Sequence, residues 1–90
     1  MSAYSKGANF ERRVRKHLEQ QGWVVFRSAG SHSPADLIAL KSGEVLLVQC
    51  QLDSTFLKTK VETLRILGAE LNVAVALAWR QDSKLVLKAL

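Results

Sequence analysis

Asp36, Gln49, Cys50 and Gln51 are the residues whose types and spacing could do chemistry. The polar stretch Arg27-Ser28-Ala29-Gly30-Ser31-His32-Ser33-Pro34-Ala35 delivers Asp36 to the start of an apolar run, Leu37-Ile38-Ala39-Leu40. A Lys41-Ser42-Gly43-Glu44 turn follows, and Val45-Leu46-Leu47-Val48 then leads into Gln49-Cys50-Gln51. Side chains two apart on a strand project from one face, so Gln49 and Gln51 point the same way. With Asp36 on that face, three oxygen-bearing side chains converge, and the Cys50 backbone carbonyl is a fourth oxygen. Such hard donors suit Mg²⁺ (or Mn²⁺), which favours octahedral oxygen coordination and keeps several waters. A cation held there polarises a phosphodiester and activates a water.

Other groups join this set with two readings open. Glu11 is either a second carboxylate reaching the sheet edge or an exposed helix residue paired with Arg15 at i+4. Ser28, Ser31 and Ser33 surround Gly30; their hydroxyls and amides can grip phosphate oxygens, or the segment is a plain loop. Arg27 either binds a nucleic-acid backbone or pairs with Asp36, and His32 is read as solvated. The Cys50 thiol alternates away from Gln49 and Gln51 and is read as a small core side chain.

The elements that position these groups follow from periodicity. Phe10, Val14, Leu18 and Gln21 mark one stripe of a first helix over 5–21, closed by Gly22 at C′. Trp23–Arg27, Asp36–Leu40 and Glu44–Gln51 read as strands, the last apolar on both faces and so inside the sheet. Leu57–Leu71 reads as a second helix with Leu57, Val61, Leu64, Gly68 and Leu71 on one face and Leu67 beside it; Gly68 allows close packing. Val73–Trp79 and Lys84–Leu87 are two more strands around an Arg80-Gln81-Asp82-Ser83 turn. The order α-β-β-β-α-β-β predicts an α/β layer fold, a mixed sheet flanked by two helices.

Length and composition bound the answer. Ninety residues make one domain with a modest core, which dimerisation would help. Apolar content of 48% and charged content of 23% are globular values. A net charge of +5 suggests an anionic partner, nucleic acid being the commonest. Arg12, Arg13, Arg15 and Lys16 on the first helix, with Lys58 and Lys60, are candidate backbone contacts. One cysteine and no long apolar run imply no internal disulfide, no membrane span and a reducing cytoplasm. No Cys/His cluster suggests zinc.

Lys6-Gly7 with Glu11-Arg12, Arg27-Ser28-Ala29-Gly30-Ser31, Pro34-Ala35-Asp36-Leu37-Ile38-Ala39 and the strand ending at Gln51 come in a specific order. In this the chain resembles archaeal-type Holliday junction resolvases and their phage relatives, within the PD-(D/E)xK nuclease superfamily. Small VRR-NUC nucleases share the core and are the competing assignment. The resemblance covers Lys6 to about Trp79 and implies a restriction-endonuclease-like core. It also implies Mg²⁺-dependent cleavage by homodimers that recognise branched DNA; a nuclease this compact would suit a prokaryotic or phage-infected cell. It puts the helix acid on Glu11, the loop serine on Ser31, the strand-start acid on Asp36 and the acid-x-Lys pair on Gln49 and Gln51.

Those two glutamines depart from the pattern. Gln49 keeps a carbonyl oxygen but loses a charge. Gln51 cannot offset charge as the phosphorane develops, and losing one such stabiliser typically costs on the order of 10²–10³ in rate. The leading expectation is a resolvase-type endonuclease, weakened or silenced at Gln51. A non-catalytic branched-DNA-binding module on the same fold is the second, and a structural or interaction protein with incidental charge is the third.

Overall fold

The computed structural model describes residues 3–28, 34–55 and 58–90, with side chains described from Lys6 onward. The element order is α1 (Ala3–Gln20), β1 (Val24–Arg27), β2 (Leu37–Lys41), β3 (Glu44–Cys50), α2 (Lys58–Leu71), β4 (Ala74–Gln81) and β5 (Lys84–Ala89). The expected α-β-β-β-α-β-β order is the one observed. The strands form a single sheet in the order β1-β2-β3-β4-β5. All neighbours are antiparallel except β3 and β4, which are parallel and joined through α2. That crossover places β3 at the centre, as its two-sided apolar run requires.

Alternation along the strands sends side chains to two separate cores. Val25, Leu37, Ala39, Val48, Cys50 and Ala78 pack with Phe10, Val14 and Leu18 of α1. The residues between them (Leu47, Val75 and Leu77) pack with Leu64 of α2. The helices therefore lie on opposite faces of the sheet. The α1 core is the tighter: Val14, Leu18, Ala39, Val48 and Ala78 are completely buried, against Leu64 alone in the α2 core.

Both helices end in the same way. Gly22 at φ 96° lets Trp23 N–H reach the Leu18 carbonyl at 3.1 Å, and Gly22 N–H reaches Glu19 at 3.1 Å. Asn72 at φ 56° does likewise for α2, with Val73 N–H on the Gly68 carbonyl at 2.9 Å. These are Schellman closures, and asparagine tolerates the left-handed position nearly as glycine does. Gly68 is where α2 meets β4: a Cβ there would stand 2.6 Å from Val75 Cγ1.

Some expected boundaries shift. The last hairpin turns on Asp82 and Ser83 alone, both at positive φ, so β4 continues through Arg80 to Gln81 and β5 extends to Ala89. Lys41 pairs with Glu44 inside the second hairpin, leaving Ser42-Gly43 as its tip. Gln21 lies beyond α1, exposed, and contacts His17 at 3.1 Å. Leu71 is 57% exposed instead of buried, because the closure at Asn72 turns the chain away before it reaches the sheet. Leu57 lies outside the described residues. No helix among them is long and apolar enough to cross a membrane.

Candidate active site

Asp36 stands one residue before β2, yet its backbone still belongs to the sheet. Its N–H donates to the Val48 carbonyl at 2.8 Å, and its carbonyl accepts from Ser28 N–H at 2.9 Å. The ladder of β2 against β3 stops at Leu37 and Val48. Beyond it, Cys50 N–H would lose its partner, and Asp36 Oδ2 accepts that bond at 2.9 Å. The side chain thus extends the sheet edge and is held by it. N–H and C=O of one strand residue point to the same side, so the Cys50 carbonyl also faces Asp36.

Around this bond is a cavity of about 700 Å³, bounded by the start of α1, the end of β3 and the start of α2. Asp36, Gln49, Cys50, Gln51 and Glu11 all line it. Gln49 pairs in register with Leu77, which belongs to the α2 core, so Gln49 and Gln51 face that side. Gln49 is buried, being only 9% exposed. The Cys50 thiol points the other way, into the α1 core. Burial, with Asp36 and Glu11 adding to it, pushes the thiol far above its ordinary range, so it is a neutral core group.

Glu11 projects from α1 into the same cavity, one turn beyond Gly7. Its partner is not Arg15, which instead pairs with Glu19 at 3.4 Å. Arg27 Nε lies 3.6 Å from Glu11 Oε1. Helical spacing allowed the Arg15 pairing; the sheet edge supplies a cation on the inward side, and Glu11 turns to it. Arg27 accordingly sits on Glu11, although its charge also reaches Asp36.

Two carboxylates share this space at some cost. Burial first, and then the Asp36 charge, raise the Glu11 pKa above its ordinary value, with Arg27 opposing. Burial raises that of Asp36, opposed by the Cys50 N–H bond, Lys60 and Arg27. A divalent cation held between them would relieve both penalties. The donors are all hard oxygens: two carboxylates, the Gln49 amide and the Cys50 carbonyl. That set fits Mg²⁺ or Mn²⁺ better than a soft metal. Among the described residues no three His, Cys, Asp or Glu side chains gather closely enough to hold a metal by themselves.

The remaining sequence candidates scatter. Ser31, with His32 and Ser33, lies outside the described residues. Ser28 is half-buried and uses its amide on Asp36. Arg12, Arg15, Lys16 and Lys58 are exposed, and none lines the cavity. Arg13 donates to the Ser83 carbonyl at 2.9 Å and shares a second, shallower cleft with Lys6 and Arg80. Lys60 does line the main cavity, and so does Asp53, whose Oδ1 accepts from Thr55 N–H at 2.8 Å. Sequence reasoning took Lys60 for a surface contact and overlooked Asp53. Lys60 carried a usable signal, since it precedes the buried Leu64 by one helical turn. Asp53, in an irregular segment, carried none.

The model of the archaeal Holliday junction resolvase family (Hjc) matches residues 2–84. A crossover junction endodeoxyribonuclease Hjc of Methanocaldococcus jannaschii is 49% identical over 57 residues, 63% of this chain and 40% of that protein. The matched segment thus spans well under half the length of that relative. The solved structure of Archaeoglobus fulgidus Hjc, a Holliday junction resolvase, superposes with a TM-score of 0.76 at 20% identity. It covers 93% of this chain and 72% of that one, a likeness of fold.

Proposed function

The chain belongs to the archaeal Holliday junction resolvase (Hjc) family, and on that premise we propose that it is a structure-selective endonuclease that hydrolyses DNA phosphodiesters at branched junctions. The observation that carries this reading is the Asp36 carboxylate fixed on Cys50 N–H at 2.9 Å, inside a cavity that Glu11, Gln49 and Gln51 also line. Asp36 and Glu11, with the Gln49 amide oxygen and the Cys50 carbonyl, would hold a Mg²⁺ or Mn²⁺ ion. When bound, that ion supplies Lewis-acid polarisation of the phosphate and acidifies a water. The chain's own work is positional. The Cys50 N–H bond fixes the Asp36 rotamer, and Arg27, 3.6 Å from Glu11, favours its ionised form against burial and the Asp36 charge. Gln51 lines the attacking side with a neutral amide that can hydrogen-bond a water but cannot offset charge.

DNA would lie across the mouth of the cavity. Arg12, Arg15 and Lys16 of α1, Arg13, and Lys58 beside the α2 start offer sequence-independent backbone contacts. Ser31, in the segment of sequence before Asp36, is proposed as a phosphate contact. Two cuts are needed to resolve a four-way junction, so a two-fold dimer is proposed. Val24, Phe26 and Leu40 support it: they are 58%, 54% and 39% exposed, and alternation puts them together on the α2 face at the β1 edge. A reducing cytoplasm suits the single buried thiol.

The experiment is cleavage of an end-labelled four-way junction beside a linear duplex of the same sequence, in Mg²⁺ and in Mn²⁺. Cutting confined to the junction is expected. Equal cutting of both would refute structure selectivity. The second reading, a junction-binding module that does not cut, has Gln51 in its favour; tight junction binding without cleavage in either metal would establish it.

A further inference from the structure

We infer that Lys60 of α2 supplies the positive charge that Gln51 cannot, contacting the scissile phosphate from across the cavity as a catalytic residue. This rests on the endonuclease reading and deepens it. Among the described residues that line the cavity, Lys60 is the one cation; it is exposed at the rim and shares the lining with Glu11, Asp36 and Asp53. Its position follows from the fold. Leu64 packs on Leu47 and Leu77, in the core between α2 and the sheet. The β3-α2-β4 crossover makes α2 run back along β3, so one turn before Leu64 lies over the residues just after Leu47. Lys60 is that turn, and Gln49 and Gln51 are those residues. Thr63, on the same side of the helix, also reaches the cavity.

Two further features favour a working lysine over a merely solvated one. The first turn of α2 holds Lys58 and Lys60 and no acidic residue, which opposes the helix dipole. Each cation at a helix N-terminus typically costs about 0.3–1 kcal/mol. Among the described residues no carboxylate comes within ion-pair distance of Lys60 to offset that cost. Its field instead falls on Asp36, whose ionised form it favours. A helix-borne lysine and a strand-borne one can serve the same phosphate, because the cavity is walled by both elements.

The chemistry asked of Lys60 is electrostatic. The water oxygen bonds to phosphorus as the bond to the leaving oxygen breaks. One proton leaves the water for solvent and one reaches the leaving oxygen from solvent. Lys60 gives up no proton; its ammonium meets the non-bridging oxygen where charge accumulates.

The test compares native protein, Lys60→Ala, Lys60→Gln, Gln51→Lys and the double variant Lys60→Ala with Gln51→Lys. Single-turnover junction cleavage at saturating enzyme gives the rate, and junction binding in Ca²⁺ against salt gives the affinity. Removing Lys60 by either substitution is expected to slow cleavage on the order of 10²–10³. The salt slope should change by no more than about one contact. Gln51→Lys should restore the rate in the Lys60→Ala background, since a lysine on β3 does the same work. Native-rate cleavage by Lys60→Ala overturns the inference while leaving the endonuclease reading intact. So does a loss confined to affinity, or one that Gln51→Lys does not repair. A silent native protein that Gln51→Lys awakens also overturns it, with the reading again intact. If neither cuts, the reading itself falls and the inference with it.

Discussion

The two faces of the sheet follow the same alternation and are closed to different degrees. On one, α1 lays Phe10, Val14 and Leu18 along β1 to β4 and seals them from water. On the other, α2 packs over β3 and β4, and the apolar side chains of β1 and β2 stay uncovered at Val24, Phe26 and Leu40. The difference separates stability from interaction. The sealed face holds the fold; the half-open face carries both glutamines and the surface proposed for a second copy. The cavity lies where the two regimes meet, at the sheet end from which both helices start, and each helix lends it one charge: Glu11 from α1 and Lys60 from α2.

Substitutions should sort by face. Leu18→Ala empties a completely buried position under α1 and is expected to cost about 2–5 kcal/mol in urea unfolding. A loss under 1 kcal/mol would mean that α1 is not the main anchor. Gly68→Ala is next. Its methyl would stand 2.6 Å from Val75 Cγ1, so α2 must lift from β4. Strain of this kind typically costs about 1–3 kcal/mol, and a neutral result would show that α2 rides loosely on the sheet.

A smaller effect should come from pH. Asp36 and Glu11 both have raised pKa values, so the metal-free folded state binds protons more tightly than the unfolded one. Stability is then gained as pH falls from neutral toward the ordinary carboxylate range, and lost as pH rises through the raised values. Asp36→Asn should flatten that slope. A melt series in which it leaves the slope unchanged would deny that the cavity strains the fold. The smallest effect on folding belongs to Phe26→Ser, within about 0.5 kcal/mol for the monomer. Sedimentation should nonetheless show a weakened dimer; unchanged association would move the interface elsewhere.

Periodicity made most of the fold legible, because each strand and helix buries one regular face. The central place of β3 was readable from Val45–Val48, and the close approach at Gly68 from its position in the α2 stripe. Leu71 misled because its spacing is right but the chain leaves the helix at Asn72, a left-handed cap that periodicity does not register. At the site, Asp36, Gln49 and Gln51 were readable from the hairpin alone. The Glu11–Arg27 pair was not, since it joins a helix to a strand edge and competes with a local Arg15 alternative. Lys60 was counted as surface charge because its spacing from Leu64 places it near Gln51 only once the β3-α2-β4 crossover fixes the direction of α2.

The central claim is that Asp36 organises a metal-dependent phosphodiesterase centre despite the two glutamines. The most direct measurement is single-turnover junction cleavage by native protein and Asp36→Asn in Mn²⁺, with junction affinity recorded alongside. The account predicts that Asp36→Asn keeps its junction affinity and loses cutting by at least about 10²-fold. Equal cutting by the two proteins would contradict it and remove the cavity from the chemistry.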